Sequence, residues 1–353
     1  QDLSGASSPI FLEVMEITQQ EASAALSSSV QLSWLSSHEE AVSVLRNLRT
    51  LYWVMQAQSV FQKPDIGAIS LTTIADKLWE YWTDGKTQLQ SLLMKMGKKE
   101  ASFQKSFPIS DMNGDDAKAF DEAPKQLPLQ KNSRNRIEFQ HDLAADWARF
   151  QSLKEISHDT AKWAPLAENP LWHNALRMLG QLLLRESIGD GKTAWDIAFE
   201  EAEKAKETMP LAADILLDAL CLDPLAGLFL EQRADLLFEN HGKRLNRLLR
   251  RFQHIATRPA VPEAFAKLDP SLNLYLEAQH RLPVYGRWLG IANFLTNHKD
   301  NVANLMSPTV AKLCETWLTG TPQSTPERTI IFRKEFSEIA LATVRALQIE
   351  QGK

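Results

Sequence analysis

Apolar residues recur at helical spacing along most of this chain. Ser37-His38-Glu39-Glu40 has the form of a capping box, with Ser37 at N-cap and Glu40 at N3. Behind it Ala41, Val44, Leu45, Leu48, Leu51, Tyr52 and Met55 share one stripe, which predicts a single amphipathic helix to about Phe61. Lys63-Pro64-Asp65 and Gly67 interrupt the pattern. Thr73 is then placed to cap a helix with Ile74, Leu78, Tyr81 and Trp82 on one face, stopped by Asp84-Gly85. A second helix is expected from Thr87 to Phe103, and a short third from Asp115 to Glu122. Leu127 and Leu129, a polar turn at Lys131 to Asn135, and alternating Ile137 and Phe139 predict a two-stranded ribbon. That ribbon runs into a helix with Leu143, Trp147, Phe150 and Leu153 inward.

Three short helices and a hairpin in this order describe a winged helix. From Trp163 onward the pattern is helix after helix, punctuated at Pro170, Gly189-Asp190-Gly191, Pro210, Pro224, Pro259, Pro262, Pro270, Pro283 and Gly320 to Pro326. Helix pairs of this kind stack as α-solenoids of HEAT-like or tetratricopeptide-like geometry, although no repeat motif recurs. The predicted fold is therefore mainly α: a helical lid-like domain over residues 1–65, a winged helix over 66–156, and a helical-repeat domain over 157–353.

Composition narrows the function classes. The 353 residues carry a net charge of −5, so the whole molecule has no polyanion-binding signature. Cys221 and Cys314 stand alone in apolar runs, which excludes a disulfide framework or a CxxC metal pair and points to a reducing, cytoplasmic setting. No apolar run reaches the roughly 20 residues that a membrane span requires.

Candidate chemistry is sparse. Gly189-Asp190-Gly191-Lys192-Thr193 resembles a phosphate loop, but Glu186 stands where the first glycine is required, and the run reads better as a helix stop followed by an N-cap. His38-Glu39-Glu40 lacks the second histidine of a zinc helix, because Val42 occupies that position. The densest basic run, Lys243, Arg244, Arg247, Arg250 and Arg251, lies on one helix. Lys243, Arg244, Arg247 and Arg251 are its candidates for gripping an acidic partner, against a solvated face paired with Glu231, Asp235 and Glu239. The helix before the wing carries Asp115, Asp116, Asp121 and Glu122 against Lys118, a surface that repels phosphate and argues against DNA reading. His141-Asp142, where strand hands over to helix, places an imidazole among free backbone N–H groups, with Asp142 expected to cap the turn and orient the ring.

The run Arg136-Ile137-Glu138-Phe139-Gln140-His141-Asp142-Leu143-Ala144-Ala145-Asp146-Trp147-Ala148-Arg149 resembles the end of the winged helix in STAND-class (NB-ARC-like) signalling NTPases, where a helix opens with His-Asp. Gln140 stands in place of that motif's usual methionine. In that family the histidine touches the β-phosphate of ADP and holds the resting state closed. The resemblance implies that His141 reports nucleotide state with Asp142 fixing its geometry. Val44 to Leu51 resembles the family's helical lid, with Leu48 where a proline is common and Arg49 as a sensor arginine. Ala212 to Leu220 and Arg247 to Phe252 resemble the sensor half of bacterial STAND proteins, including antiviral AVAST-type members.

The resemblance implies a regulatory and ligand-sensing part that is not itself an enzyme. No cofactor is expected within the chain. ADP or ATP with Mg would belong to an NTPase core expected before Gln1. The implied partner is a protein, with a phage protein among the candidates, and activation would bring homo-oligomerisation. The alternative is a nucleotide-independent helical-repeat scaffold.

Overall fold

Short polar side chains set where the helices begin. Thr18 opens α1 (Gln19–Ser27) with a complete capping box: its hydroxyl accepts from the Glu21 N–H, and the Glu21 carboxylate accepts from the Thr18 N–H at 2.7 Å. The box expected at Ser37 does not form, because the Ser37 hydroxyl donates to the Trp34 carbonyl at 2.7 Å within a 3-10 turn. The N-cap of α2 (Glu39–Val44) is His38, whose side chain makes no capping bond. The single helix expected across this stretch is two. Asn47 breaks it by accepting from the Thr50 N–H at 3.0 Å, which starts α3 (Leu48–Gln56) as a new helix. Ser70, not Thr73, caps α4 (Leu71–Thr83), accepting from the Thr73 N–H at 3.2 Å. Asp84 ends α4 in the left-handed region, at the stop read from Asp84-Gly85.

The computed structural model describes residues 17–61, 69–259, 281–319 and 326–351. The expected breaks at Pro64, Pro262, Pro270 and Gly320 lie outside the described residues. The chain divides into two compact units, one of residues up to Gln90 with Glu122–Leu127, the other of Ser91–Asp121 with Pro128 onward.

α5 (Thr87–Ala101) leads to β1 (Phe107–Pro108), α6 (Gly114–Asp121), β2 (Leu129–Lys131), β3 (Arg136–Phe139) and α7 (Asp142–Lys154). The β2–β3 hairpin forms as expected, with Leu129 opposite Phe139 and Lys131 opposite Ile137. β1 adds a third antiparallel strand on the other side of β3, pairing Phe107 with Ile137. Two residues ending in proline show no alternation, so that edge strand leaves no sequence signal. Ile137 is fully buried, as are Phe150 and Leu153 on α7, with Trp147 nearly so.

Beyond it the second unit is an array of helices: α8 (Thr160–Trp163), α9 (His173–Arg185), α10 (Ala194–Lys204), α11 (Pro210–Leu222), α12 (Ala226–Glu231) and α13 (Ala234–Ile255). Gly189-Asp190-Gly191 turns a short hairpin between β4 (Ser187–Gly189) and β5 (Lys192–Thr193), and Thr193 caps α10 through a box with Asp196. α13 is kinked where Asn240, His241 and Gly242 all take positive φ. β6 (Thr257–Pro259) pairs with β7 (Arg281–Pro283), followed by α14 (Tyr285–Asn297), α15 (Lys299–Asn304), α16 (Pro308–Thr319) and α17 (Pro326–Gln351). Within this unit α9 packs on α7 and α11, α11 on α13, α13 on α16, and α17 on α14, α15 and α16. The core of the last group is aromatic. Trp288 meets Phe252 at 4.9 Å, Trp317 at 5.3 Å and Phe336 at 5.7 Å between ring centroids, and all four side chains are fully buried. The chain is thus mainly α with a small antiparallel sheet, as expected.

Gly180 lets α9 and α11 approach so closely that a Cβ there would lie 2.5 Å from the Ala219 Cβ. Gly180→Ala is expected to cost about 1–3 kcal/mol through overpacking. Gly114→Ala, where an added Cβ meets nothing within 4 Å, is expected to be neutral. Thermal unfolding of both variants checks the pair.

Candidate functional site

His141 stands where β3 hands over to α7. The Gln140 N–H donates to the Pro128 carbonyl at 3.0 Å and its side-chain amide to the Leu129 carbonyl at 3.1 Å, tying the junction to β2. His141 is extended, with φ −158°, and is itself the N-cap of α7: its Nδ1 accepts from the Leu143 N–H at 3.1 Å. The ring therefore does the capping expected of Asp142, which is exposed in the first helical turn. With Nδ1 an acceptor, the proton of the neutral imidazole sits on Nε2. The helix dipole favours negative charge at this end.

One to two turns further along α7, a buried polar cluster anchors the helix. Arg149 is almost fully buried and donates to Asp146 at 2.6 Å and to Glu100 of α5 at 3.0 Å. Asn174 of α9 donates to the other Asp146 oxygen at 2.9 Å. Burial raises the Glu100 carboxyl above its usual range and outweighs the lowering pull of the Arg149 guanidinium. α7 is thereby tied to α5 on one side and α9 on the other. Asp146 and Arg149 were not singled out from sequence. The available signal was a charged pair at i, i+3 interleaved with Trp147 and Phe150, inside a stretch that buries its core face.

The arginines of the α13 basic run are engaged within the molecule. Arg244 donates to Glu203 of α10 at 2.8 Å and pairs with Glu239. Arg247 donates to Glu203 at 3.0 Å and pairs with Asp214 of α11. Arg251 clamps Asp218 with two bonds of 2.6 and 2.7 Å and approaches Asp214 at 3.3 Å. Arg177 of α9 reaches the same Asp218 at 3.0 and 3.2 Å. Of the three carboxylates expected to pair with this run only Glu239 does so. Glu231 accepts instead from Asn297 at 2.8 Å and pairs with His298 at 2.8 Å. The other partners lie further back in sequence, on α10 and α11. Lys243 is exposed.

Arg49 is exposed on α3, with its guanidinium 5.9 Å from the Tyr52 ring centroid and 6.0 Å from that of Trp53. It belongs to the first compact unit and His141 to the second. Cys221 and Cys314 are buried free thiols. Burial pushes Cys221 up and Cys314 up to about 12, so neither suits nucleophilic work. Among the described residues no three His, Cys, Asp or Glu side chains group to hold a metal, and no helix is long and apolar enough to cross a membrane.

Asp218→Ala leaves two guanidiniums facing a buried gap and is expected to cost about 3–5 kcal/mol, with a lowered urea midpoint as the readout. Lys204→Ala, which breaks an exposed 2.9 Å pair with Glu200, is expected to leave that midpoint unchanged. Compared with known proteins, the chain matches no family model, no curated protein and no solved structure.

Proposed function

We propose that this chain is the regulatory and ligand-sensing portion of a STAND-type NTPase switch, probed through His141 and read out through the helical array. The supporting observation is the His141 junction. An imidazole held with its proton on Nε2, at the N-terminus of a 13-residue helix, is a hydrogen-bond donor in a field that attracts phosphate. A core outside this chain supplies the nucleotide, ADP or ATP with Mg, and with it any hydrolysis. Asp146 and Arg149 tie the same helix to α5 and α9, so a shift at its first turn is carried into the packed helices behind it. A protein ligand that binds the array better in the open state then moves the equilibrium, and opened copies oligomerise. A nucleotide-independent scaffold is the second reading. It is favoured by the fact that Nδ1 is accounted for as a helix cap, and that Arg244, Arg247 and Arg251 already serve internal carboxylates.

Two substitutions in the full-length protein separate capping from sensing. Asparagine is a strong N-cap without an imidazole, so His141→Asn keeps the helix start, whereas His141→Ala loses about 1 kcal/mol of it. The switch predicts that both variants release ADP and oligomerise without a partner, measured as nucleotide freed on denaturation and as elution volume. Wild-type nucleotide retention in His141→Asn, or a wild-type protein that carries no nucleotide at all, would establish the scaffold.

A further inference from the structure

The small sheet of β1, β3 and β2, expected as the wing, carries chemistry that neither reading uses. Residues 101–110 and 128–137 contain Lys105, Lys131, Arg134 and Arg136 and no carboxylate. The fold joins these two stretches by pairing β1 with β3. Where they meet is an open cavity of about 510 Å³ lined by Ser106, Asn132, Ser133, Arg134 and Arg136. Its geometry is pinned. Arg136 donates through Nε to the Ser106 hydroxyl at 2.7 Å and through Nη2 to the Ser106 carbonyl. The Asn132 side-chain oxygen accepts from the Arg134 N–H at 3.0 Å and the Arg136 N–H at 3.2 Å, which holds the turn that presents both guanidiniums. The adjoining carboxylate, Glu138, accepts from the amides of Gln130 and Asn132 at 3.1 Å each.

Three residues before Ser106 the chain carries an aromatic residue in an unfavourable backbone conformation. Phe103 ends α5 in a Schellman arrangement, with its N–H on the Glu100 carbonyl at 2.9 Å and the Gln104 N–H on the Lys99 carbonyl at 3.2 Å. That position asks for glycine, yet Phe103 takes φ +64° and is 80% exposed. A bulky residue held left-handed and turned to solvent is strain without a folding benefit, which is the pattern of a functional position. Ser106 follows three residues later, so Phe103 lies within about 11 Å of the pocket lining by chain length alone.

We propose that the wing binds single-stranded nucleic acid, with a backbone phosphate in the Arg134–Arg136 pocket and a neighbouring base stacked on Phe103. Guanidiniums on a fixed turn suit phosphate oxygens, and an exposed ring suits the face of an unpaired base, which a duplex does not offer. The acidic charge of α6, where Asp116 is paired with Lys95 at 2.9 Å, works against seating that helix in a duplex groove and so favours the single strand. This assignment does not depend on nucleotide sensing at His141.

Fluorescence polarisation of labelled oligothymidine and oligouridine with the whole chain tests it, with a duplex of equal length and inorganic phosphate as comparisons. Arg134→Ala is expected to weaken single-strand binding and to lower the log–log salt slope by about one. Phe103→Gly is expected to raise the melting temperature, because glycine relieves the left-handed strain, while weakening single-strand binding about fivefold or more. Unchanged affinity in both variants, or no binding of any oligonucleotide at low salt, would overturn the proposal. So would a duplex bound as well as the single strand with Phe103→Gly unaffected. Displacement by inorganic phosphate with no dependence on oligonucleotide length would leave an anion pocket only and overturn the nucleic-acid assignment.

Discussion

Asp218 is a fully buried carboxylate at the centre of α11, and the order of the helices around it follows from how its charge is met. Removing a carboxylate from water costs several kcal/mol unless it is hydrogen-bonded to cations on every open side. Here Arg177 supplies that from α9 and Arg251 from α13, so three helices share one charge. Apolar packing alone tolerates sliding of one helix along another, whereas a clamped carboxylate does not. The chain of charges runs on through Asp214, Arg247, Glu203 and Arg244, and brings α10 into the same register.

The same device recurs along the second unit. Arg149 joins Glu100 and Asp146, Arg185 clamps Asp223 at 2.6 and 2.9 Å, and Arg233 clamps Asp196 at 2.9 and 3.0 Å while lying over the Trp195 ring. Buried pairs of this kind contribute little net stability against apolar replacements, and their effect is on which arrangement is adopted. This is why the densest basic run of the sequence is a poor guide to a partner surface. Arg244, Arg247 and Arg251 are taken up by carboxylates of α10, α11 and α13 itself, which leaves Lys243 and Arg250 of the run exposed. His141 lies at the start of a helix that the network holds through Asp146 and Arg149.

Much of the fold was legible because periodicity and capping are local. The helix with Trp147, Phe150 and Leu153 inward, the hairpin pairing Leu129 with Phe139, the stop at Asp84 and the N-cap after Gly189-Asp190-Gly191 all follow from residues within a few positions of one another. The errors were local competitions between similar side chains. Ser37 lost to a 3-10 turn, Asn47 split a continuous apolar stripe, and Ser70 displaced Thr73 as a cap. The apolar stripe expected across Asn47 held only in part, since Ala41, Leu45 and Leu51 are buried while Leu48 and Tyr52 are exposed.

The sequence by itself determined a mainly helical chain with one small hairpin, a histidine at a strand–helix junction, and two cysteines that do not pair. Those features depend on spacing, turn chemistry and composition, all of which act over a few residues. Only the tertiary structure decided that Asp218 is the shared charge of three helices, that Arg244, Arg247 and Arg251 of α13 meet carboxylates of α10 and α11, and that Ser106 and Arg136 close a basic pocket across β1 and β3. Partners 30 to 44 residues apart make those contacts, and which of several carboxylates meets which arginine depends on how whole helices pack. That choice minimises buried unpaired charge over the assembled unit, a condition no local window of sequence contains.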